Sequence, residues 1–159
     1  MAANSLNRKG MRKALGALLS TALVGSGKPA QAVYDHLTYD FLNQSPVVVI
    51  APVSTRRKIG VVGVTQRDTT VNLNIYVFVA YASVDSNTYT EAESTDLLDD
   101  IEKAIADVLI DSTTRTTPVG GVAWDKAEQR EDTSIEEFVI GGMAYWRELI
   151  PVTLIRKLG

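Results

Sequence analysis

The sequence contains no cysteine and a single histidine, His36. The missing thiols exclude disulfide bonds, thiolate metal sites and cysteine nucleophiles together. A zinc site needs several His or Cys ligands, and this chain has only one such residue. A Ser-His-Asp triad would have to use His36, which has no nucleophile motif nearby, so we interpret it as a packed or surface imidazole.

Long apolar runs are also missing, because no stretch approaches the roughly 20 apolar residues that cross a bilayer. Residues 11–24 are interrupted by Arg12, Lys13 and Gly16, which is typical of an amphipathic helix and not of a signal-peptide core. We therefore expect no membrane span and no secretion. The chain has 159 residues, 45% apolar and 22% charged, and fits one globular domain over residues 1–159.

The charge of the chain is unevenly distributed. Residues 1–70 hold nine Lys/Arg against three Asp, a net +6, whereas residues 71–159 hold seven Lys/Arg against sixteen Asp/Glu, a net −9. Such asymmetry is typical of a nucleic-acid-binding arm, or of two opposed faces that attract each other in a head-to-tail assembly. The second option suits a protein that forms rings.

Two helices are predicted from apolar residues at three- and four-residue spacing. The N-terminal segment, residues 1–24, forms one from about residue 5 and ends before the glycines and proline of residues 25–29. Its other face carries basic residues that we interpret as solvated: Arg8, Lys9, Arg12 and Lys13. The second helix covers residues 91–110, with Ser94 or Thr95 as its cap and three aspartates near its positive end: Asp96, Asp99 and Asp100.

Strand patterns fill much of the remaining sequence. The clearest covers residues 70–82, where one face is apolar throughout and the other turns apolar only at its end. We expect that end to be covered on both sides, by a helix of the chain or by a neighbouring subunit. A β-branched run between Pro46 and Pro52 predicts a buried strand of about six residues confined by both prolines.

A further long strand is predicted over residues 144–156, where Glu148 interrupts the apolar face and Pro151 indicates an edge position or a bulge. Residues 30–45 favour a short strand or irregular structure, residues 111–121 favour a loop, and another strand starts at residue 122. Together these elements predict an α+β fold, with a mostly antiparallel β-sheet and two main α-helices packed against it.

Residues 53–69 predict a polar loop or hairpin excursion that holds the strongest basic cluster: Arg56, Arg57, Lys58 and Arg67. No aromatic residue lies between Val53 and Val71 to stack on bases, so we expect either a general electrostatic role towards DNA or an acidic partner, or a solubilising loop. The acidic residues at 128–137 favour a solvated charge run. We assign no catalytic, cofactor-binding or metal-binding residue, and Gly25 to Lys28 lacks the full spacing of a phosphate loop.

The order of these elements resembles the tail terminator family of long-tailed bacteriophages along nearly the whole chain. An amphipathic helix leads to the proline-bounded strand Ser45-Pro-Val-Val-Val-Ile and, after the polar excursion, to the alternating strand Val71-Asn-Leu-Asn-Ile-Tyr-Val. The acidic-capped helix Thr95-Asp-Leu-Leu-Asp-Asp-Ile and the final strand Tyr145-Trp-Arg-Glu-Leu-Ile-Pro follow. The likeness is one of element order and residue texture, since the family has no invariant short motif.

The resemblance implies a structural virion protein without enzymatic activity or cofactor, made in the host cytoplasm and placed at the head-tail junction. Such a protein forms a ring, usually a hexamer, on the last ring of the tail tube protein, ends tube polymerisation and offers a surface to head-closure and neck proteins. DNA passes through its channel without sequence-specific binding. Arg56, Arg57, Lys58 and Arg67 are then candidates for the lumen or for a ring-to-ring contact.

Three alternatives remain open from the sequence. Another neck component, such as a head-closure or tail-completion protein, would occupy a different layer of the same assembly. A small enzyme that uses carboxylates predicts a deep pocket with a carboxylate of raised pKa. A nucleic-acid-binding module predicts an affinity for DNA that falls steeply with salt.

Overall fold

The computed structural model describes residues 8–59, 67–82, 89–114 and 124–156. Within them the chain forms α1 (Arg8–Leu23), β1 (Ala32–Tyr34), β2 (Val47–Ile59), β3 (Arg67–Ala82), α2 (Glu91–Thr114), β4 (Lys126–Gln129), β5 (Ser134–Ile140) and β6 (Met143–Arg156). One sheet has the order β1-β2-β3-β6-β4, and β5 also pairs with β6. Among these pairs, β1 with β2 is parallel and the others are antiparallel. The predicted α+β class is therefore confirmed.

Helix α1 buries the apolar stripe that its sequence predicts, including Met11, Leu15 and Leu19. Gly16 allows a close approach on this face, because a Cβ added there would lie 2.8 Å from Cβ of Asp35. After the helix, Gly25 and Gly27 adopt positive φ angles of 137° and 77°, which glycine tolerates and other residues rarely adopt. The predicted start of this helix at residue 5 lies outside the described residues.

Strand β2 is longer than predicted, and the prediction that Pro52 ends it was wrong. The strand runs to Ile59 and pairs with β3 along its length, with a register shift between Pro52 and Ser54. This bulge leaves Val53 unpaired, so the ladder accommodates a proline inside the strand. Residues 54–59 and 67–72 are consequently the paired arms of a long hairpin.

Strand β6 lies inside the sheet, so the prediction of an edge position at Pro151 was wrong, whereas the pairing along one side of β6 is interrupted at this residue. β3 pairs along one side of β6, while β5 and then β4 pair along the other. The carbonyl of Pro151 accepts a hydrogen bond from the Arg130 amide at 2.9 Å, on the side where β4 ends and β5 has not begun. In an antiparallel strand the nitrogen of a residue faces the same side as its carbonyl, so the missing N–H falls at this gap.

Helix α2 begins one turn earlier than the predicted caps. The Thr90 hydroxyl accepts a hydrogen bond from the Glu93 amide at 3.2 Å, and the Glu93 carboxylate accepts one from the Thr90 amide at 3.4 Å. This is a capping box, so the assignment of Ser94 or Thr95 as the cap was wrong. The acidic residues of the first turn are accordingly Glu91 and Glu93.

The far end of α2 also differs from the prediction, because the helix continues to Thr114 where a loop was expected from residue 111. The Trp124 indole donates to the Ser112 hydroxyl at 3.0 Å, which ties this end of the helix to the chain before β4. The predicted strand at residue 122 starts at Lys126 instead. Strand β5 was not predicted, and Glu136 and Glu137 lie on it, not in a polar excursion.

The sheet is covered on both faces at one end, as its sequence predicts for β3. Both helices pack on the face that holds Val71, Ile75 and Val79, which we call the helix face. The opposite face, the outer face, has its own apolar cluster around Phe41 and Phe78. The outer cover comes from the irregular segment after β1, not from a helix. Neither described helix is long and apolar enough to cross a membrane.

Candidate functional site: a basic cleft and an acidic edge

The predicted basic cluster is divided between the two faces of the sheet. Arg57 pairs in register with Thr69 and lies on the helix face with Thr55, whereas Arg56 and Lys58 point to the outer face. The side chain of Arg67 lies outside the described residues. The four candidates therefore do not form one patch, and the structure brings Arg57 together with a different set of cations.

A cleft of about 430 Å³ lies between the first turns of α1 and the β2–β3 hairpin. We call it the basic cleft, and five residues line it: Arg8, Lys9, Arg12, Thr55 and Arg57. No carboxylate is among these lining residues. The Arg8 guanidinium donates to the Thr55 hydroxyl at 3.4 Å, which joins the helix to the hairpin across the cleft.

The electrostatics of the cleft are one-sided. No lysine or arginine of α1 is in an ion pair among the described residues. Nε of Arg12 is buried without a hydrogen-bond partner. Buried polar groups in folded proteins normally have partners, so this nitrogen is left unsatisfied in the isolated chain. The cleft can hold anionic groups, but its lining offers no acid or base poised for proton transfer at neutral pH.

The basic residues of both α1 and the hairpin were noted in the sequence, but the contact between these two elements was not predicted. The basic face of α1 was interpreted as solvated, and Arg57 was grouped with its neighbours on the hairpin. About 45 residues separate Arg12 from Arg57 in the chain, and only the packing of α1 on β2 brings them together. Period-two alternation along the hairpin separates Arg57 from Arg56 and Lys58, but the register shift after Pro52 decides which of them faces α1.

The opposite end of the sheet carries an acidic counterpart. Glu148 on β6 is only 4% exposed, and burial raises the pKa of its carboxyl. A hydrogen bond from Thr133 opposes that pKa shift, while the charges of Glu102 and Asp99 on α2 add to it. This places two helix carboxylates beside a buried one.

Tyr81 extends the same acidic region towards β5. Partial burial raises the pKa of its phenol, and a hydrogen bond with Glu137 and the charges of Glu137 and Glu91 raise it further. We call the group formed by Glu91, Asp99, Glu102, Glu137 and Glu148 the acidic edge. Helix α2 as a whole has eight acidic residues and one basic residue, Lys103, which pairs with Asp107 at 3.2 Å.

The small-enzyme alternative predicted a carboxylate of raised pKa in a deep pocket. Glu148 has the raised pKa, but it does not line the basic cleft, and the charged neighbours that raise its pKa further are carboxylates. The carboxylates around Glu148 repel one another, and none of these neighbours is a base that could exchange a proton with it as a catalytic partner. Among the described residues, no three His, Asp or Glu side chains converge as a possible metal site.

The outer face of the sheet is a hydrogen-bonded and aromatic surface. The Asn72 amide donates to the Ser54 hydroxyl at 2.9 Å and accepts from the Thr153 hydroxyl at 2.8 Å, which links β2, β3 and β6. The Arg147 guanidinium lies 4.5 Å from the Phe138 ring centre and pairs with Glu136. These contacts fix the outer face but leave the side chains of Arg56 and Lys58 exposed.

No protein-family model matches the chain, and no curated protein matches it in sequence. The interpretation of the site therefore depends on the geometry of the basic cleft, the acidic edge and the exposed apolar side chains.

Proposed function

We propose that this protein forms a ring that caps the phage tail tube, ends tube polymerisation and offers the surface to which the head-closure and neck proteins join. The observation that carries the proposal is the exposure of large apolar side chains in two groups, apart from Val53 and Ile110, which are exposed singly. Leu37, Tyr39 and Leu42 lie exposed after β1, with Leu42 71% exposed. Ile135 and Val139 lie exposed on β5, with Val139 62% exposed.

Exposed apolar groups of this size favour protein contacts, since apolar patches of soluble proteins commonly mark interaction sites. The two places differ in kind. One belongs to an irregular segment that covers the outer face, and the other to a strand whose Ile135 and Val139 point to the helix face beside Glu148 and Ala144. A terminator has to match the tube on one side only, and two unlike surfaces suit this one-sided role.

The outer face of the hairpin supports a position near the DNA channel. Arg56 and Lys58 are exposed there, and the described hairpin residues, 53–59 and 67–71, include no aromatic side chain to stack on bases. Cations without stacking partners attract the phosphate backbone without reading its sequence. DNA passing through the ring is therefore a transient neighbour in this proposal.

The test is electron microscopy of tubes assembled from the cognate tail tube protein with and without this chain. We expect uncontrolled tube lengths without it, and a ring at one end of tubes of defined length with it. Leu42→Ser with Tyr39→Ser should weaken capping, whereas Thr21→Ala on the exposed side of α1 should leave it intact. Tube lengths that do not change on addition of the folded protein would refute the proposal.

A further inference from the structure

The two helices carry opposite charges. α1 has four basic and no acidic residues, and α2 has eight acidic residues and one basic residue. Both pack on the helix face, α1 over β1, β2 and β3, and α2 over β3 and β4. The basic cleft therefore faces the β2 side of the sheet, and the acidic edge faces the β5 side.

We infer that the basic cleft receives the acidic edge of a second copy of this chain, in a head-to-tail contact. The inference rests on the proposed ring, and it names the surfaces by which neighbouring subunits meet. A contact between two different patches of identical chains is heterologous, and it closes into a ring when the rotation between subunits is correct. With its volume of about 430 Å³, the cleft has room for several acidic side chains.

Each surface is electrostatically incomplete in the isolated chain. The cleft lining has four cations and no carboxylate. At the other end, Glu148 is buried beside Asp99 and Glu102, and no described cation pairs with these three groups. A contact between the two surfaces supplies each with the opposite charge, and complementary charge also orients the approach.

DNA fits the cleft less well than a second copy does. α2 shares the helix face with the cleft and contacts α1, so a duplex lying on this face would meet the carboxylates of α2. Phosphates and carboxylates repel each other, and this repulsion opposes the counterion release that drives DNA binding.

The absence of cysteine from the sequence makes disulfide trapping a clean test. One preparation carries Thr55→Cys in the cleft, a second carries Asp99→Cys on the acidic edge, and the two are mixed under mild oxidation. We expect about tenfold more mixed dimer than with the matched pair Lys58→Cys and Asp99→Cys, because Lys58 lies on the outer face of the same hairpin. High salt should reduce the excess. Equal yields from the two pairs overturn the inference.

Charge reversal separates a second copy from DNA as the occupant. Arg8→Glu with Arg57→Glu in the Thr55→Cys preparation should abolish trapping, and so should Glu91→Lys with Glu102→Lys in the Asp99→Cys preparation. Mixing the two altered preparations should restore it, because the two surfaces are again complementary. An occupant such as DNA predicts no restoration, and that result overturns the inference. Arg56→Glu with Lys58→Glu is the control, and circular dichroism verifies that each variant is folded.

Trapping is measured on the free protein at high concentration and on protein bound to tubes. Mixed dimers without capped tubes would support the contact and refute the proposed function. Capped tubes without an excess of mixed dimer would support the proposed function and refute the contact. Absence of the excess in both states overturns the contact.

Discussion

The ring of Phe41, in the segment after β1, packs against the ring of Phe78 on β3 with centroids 4.9 Å apart. Phe41 is buried and also meets Tyr145 on β6 at 5.7 Å. An irregular segment thus supplies the central side chain of the outer apolar cluster. Phe78, Ala80 and Tyr145 would otherwise present this apolar surface to water.

Phe41→Ala should lower the free energy of unfolding by roughly 3 kcal/mol, because it removes a buried aromatic ring and leaves a cavity. Urea unfolding followed by circular dichroism measures the change. Tyr39→Ala in the same segment is the control, since Tyr39 is about half exposed and should cost less than about 1 kcal/mol. Equal losses for the two variants would show that Phe41 does not anchor this segment.

Glu148→Gln should stabilise the protein at neutral pH. Burial raises the pKa of Glu148 above its ordinary value of 4.5, so the folded state binds a proton more readily than the unfolded state does. The ionised carboxylate therefore costs stability above the raised pKa, and this cost disappears as the pH falls towards 4.5. The glutamine side chain carries no charge at any pH.

The measurement is thermal unfolding of Glu148→Gln and of the original chain between pH 8 and pH 4.5. The variant should be the more stable at pH 8, and the difference should shrink steadily on acidification. Glu131→Gln, at an exposed position, should show little difference at any of these pH values. A difference for Glu148→Gln that is constant with pH would contradict the stated cause.

Thr90→Ala should cost about 1 kcal/mol, because it removes the hydroxyl that accepts the Glu93 amide at the start of α2. Thr95→Ala is the matched control, since the Thr95 hydroxyl donates to the Glu91 carbonyl inside the first turn and caps nothing. Chemical unfolding of both variants distinguishes the two positions. A larger loss of stability for Thr95→Ala would favour Thr95 as the helix cap, as the sequence predicts.

Gly16→Ala should destabilise the protein although alanine favours helices by about 1 kcal/mol. The new methyl group would lie 2.8 Å from Cβ of Asp35, so α1 or the segment after β1 has to move. Thr21→Ala, at an exposed position of the same helix, should be neutral or stabilising. A gain in melting temperature for Gly16→Ala would show that the close approach is easily relieved.

The elements that the sequence predicts well are those with a complete repeating pattern. α1, α2, β3 and β6 each bury one continuous stripe or alternating set, so their existence follows from the spacing of apolar residues. Strand β5 was missed because Ile135 and Val139 remain exposed and Glu136 and Glu137 interrupt its pattern. Its identity depends on pairing with β6, which is a tertiary contact.

The site was less accessible from the sequence than the fold. The charge asymmetry of the two halves was visible, but the position of each charge depended on the packing of α1 against β2. Strict alternation from Val48 and Ile50 would place Arg56 and Lys58 on the helix face, and the register shift after Pro52 reverses this. A bulge of one residue leaves little trace in a sequence.

Val53, the single residue of β2 without a partner on β3, divides the strand into two stretches in different environments. Residues 47–51 are buried, whereas residues 52–54 and 56–58 are exposed. The register shift between Pro52 and Ser54 changes which side chains face the helices, so the charged residues after it do not share the alternation of the buried residues before it. Substitutions of Arg56 and Lys58 should therefore leave the packing of residues 47–51 undisturbed.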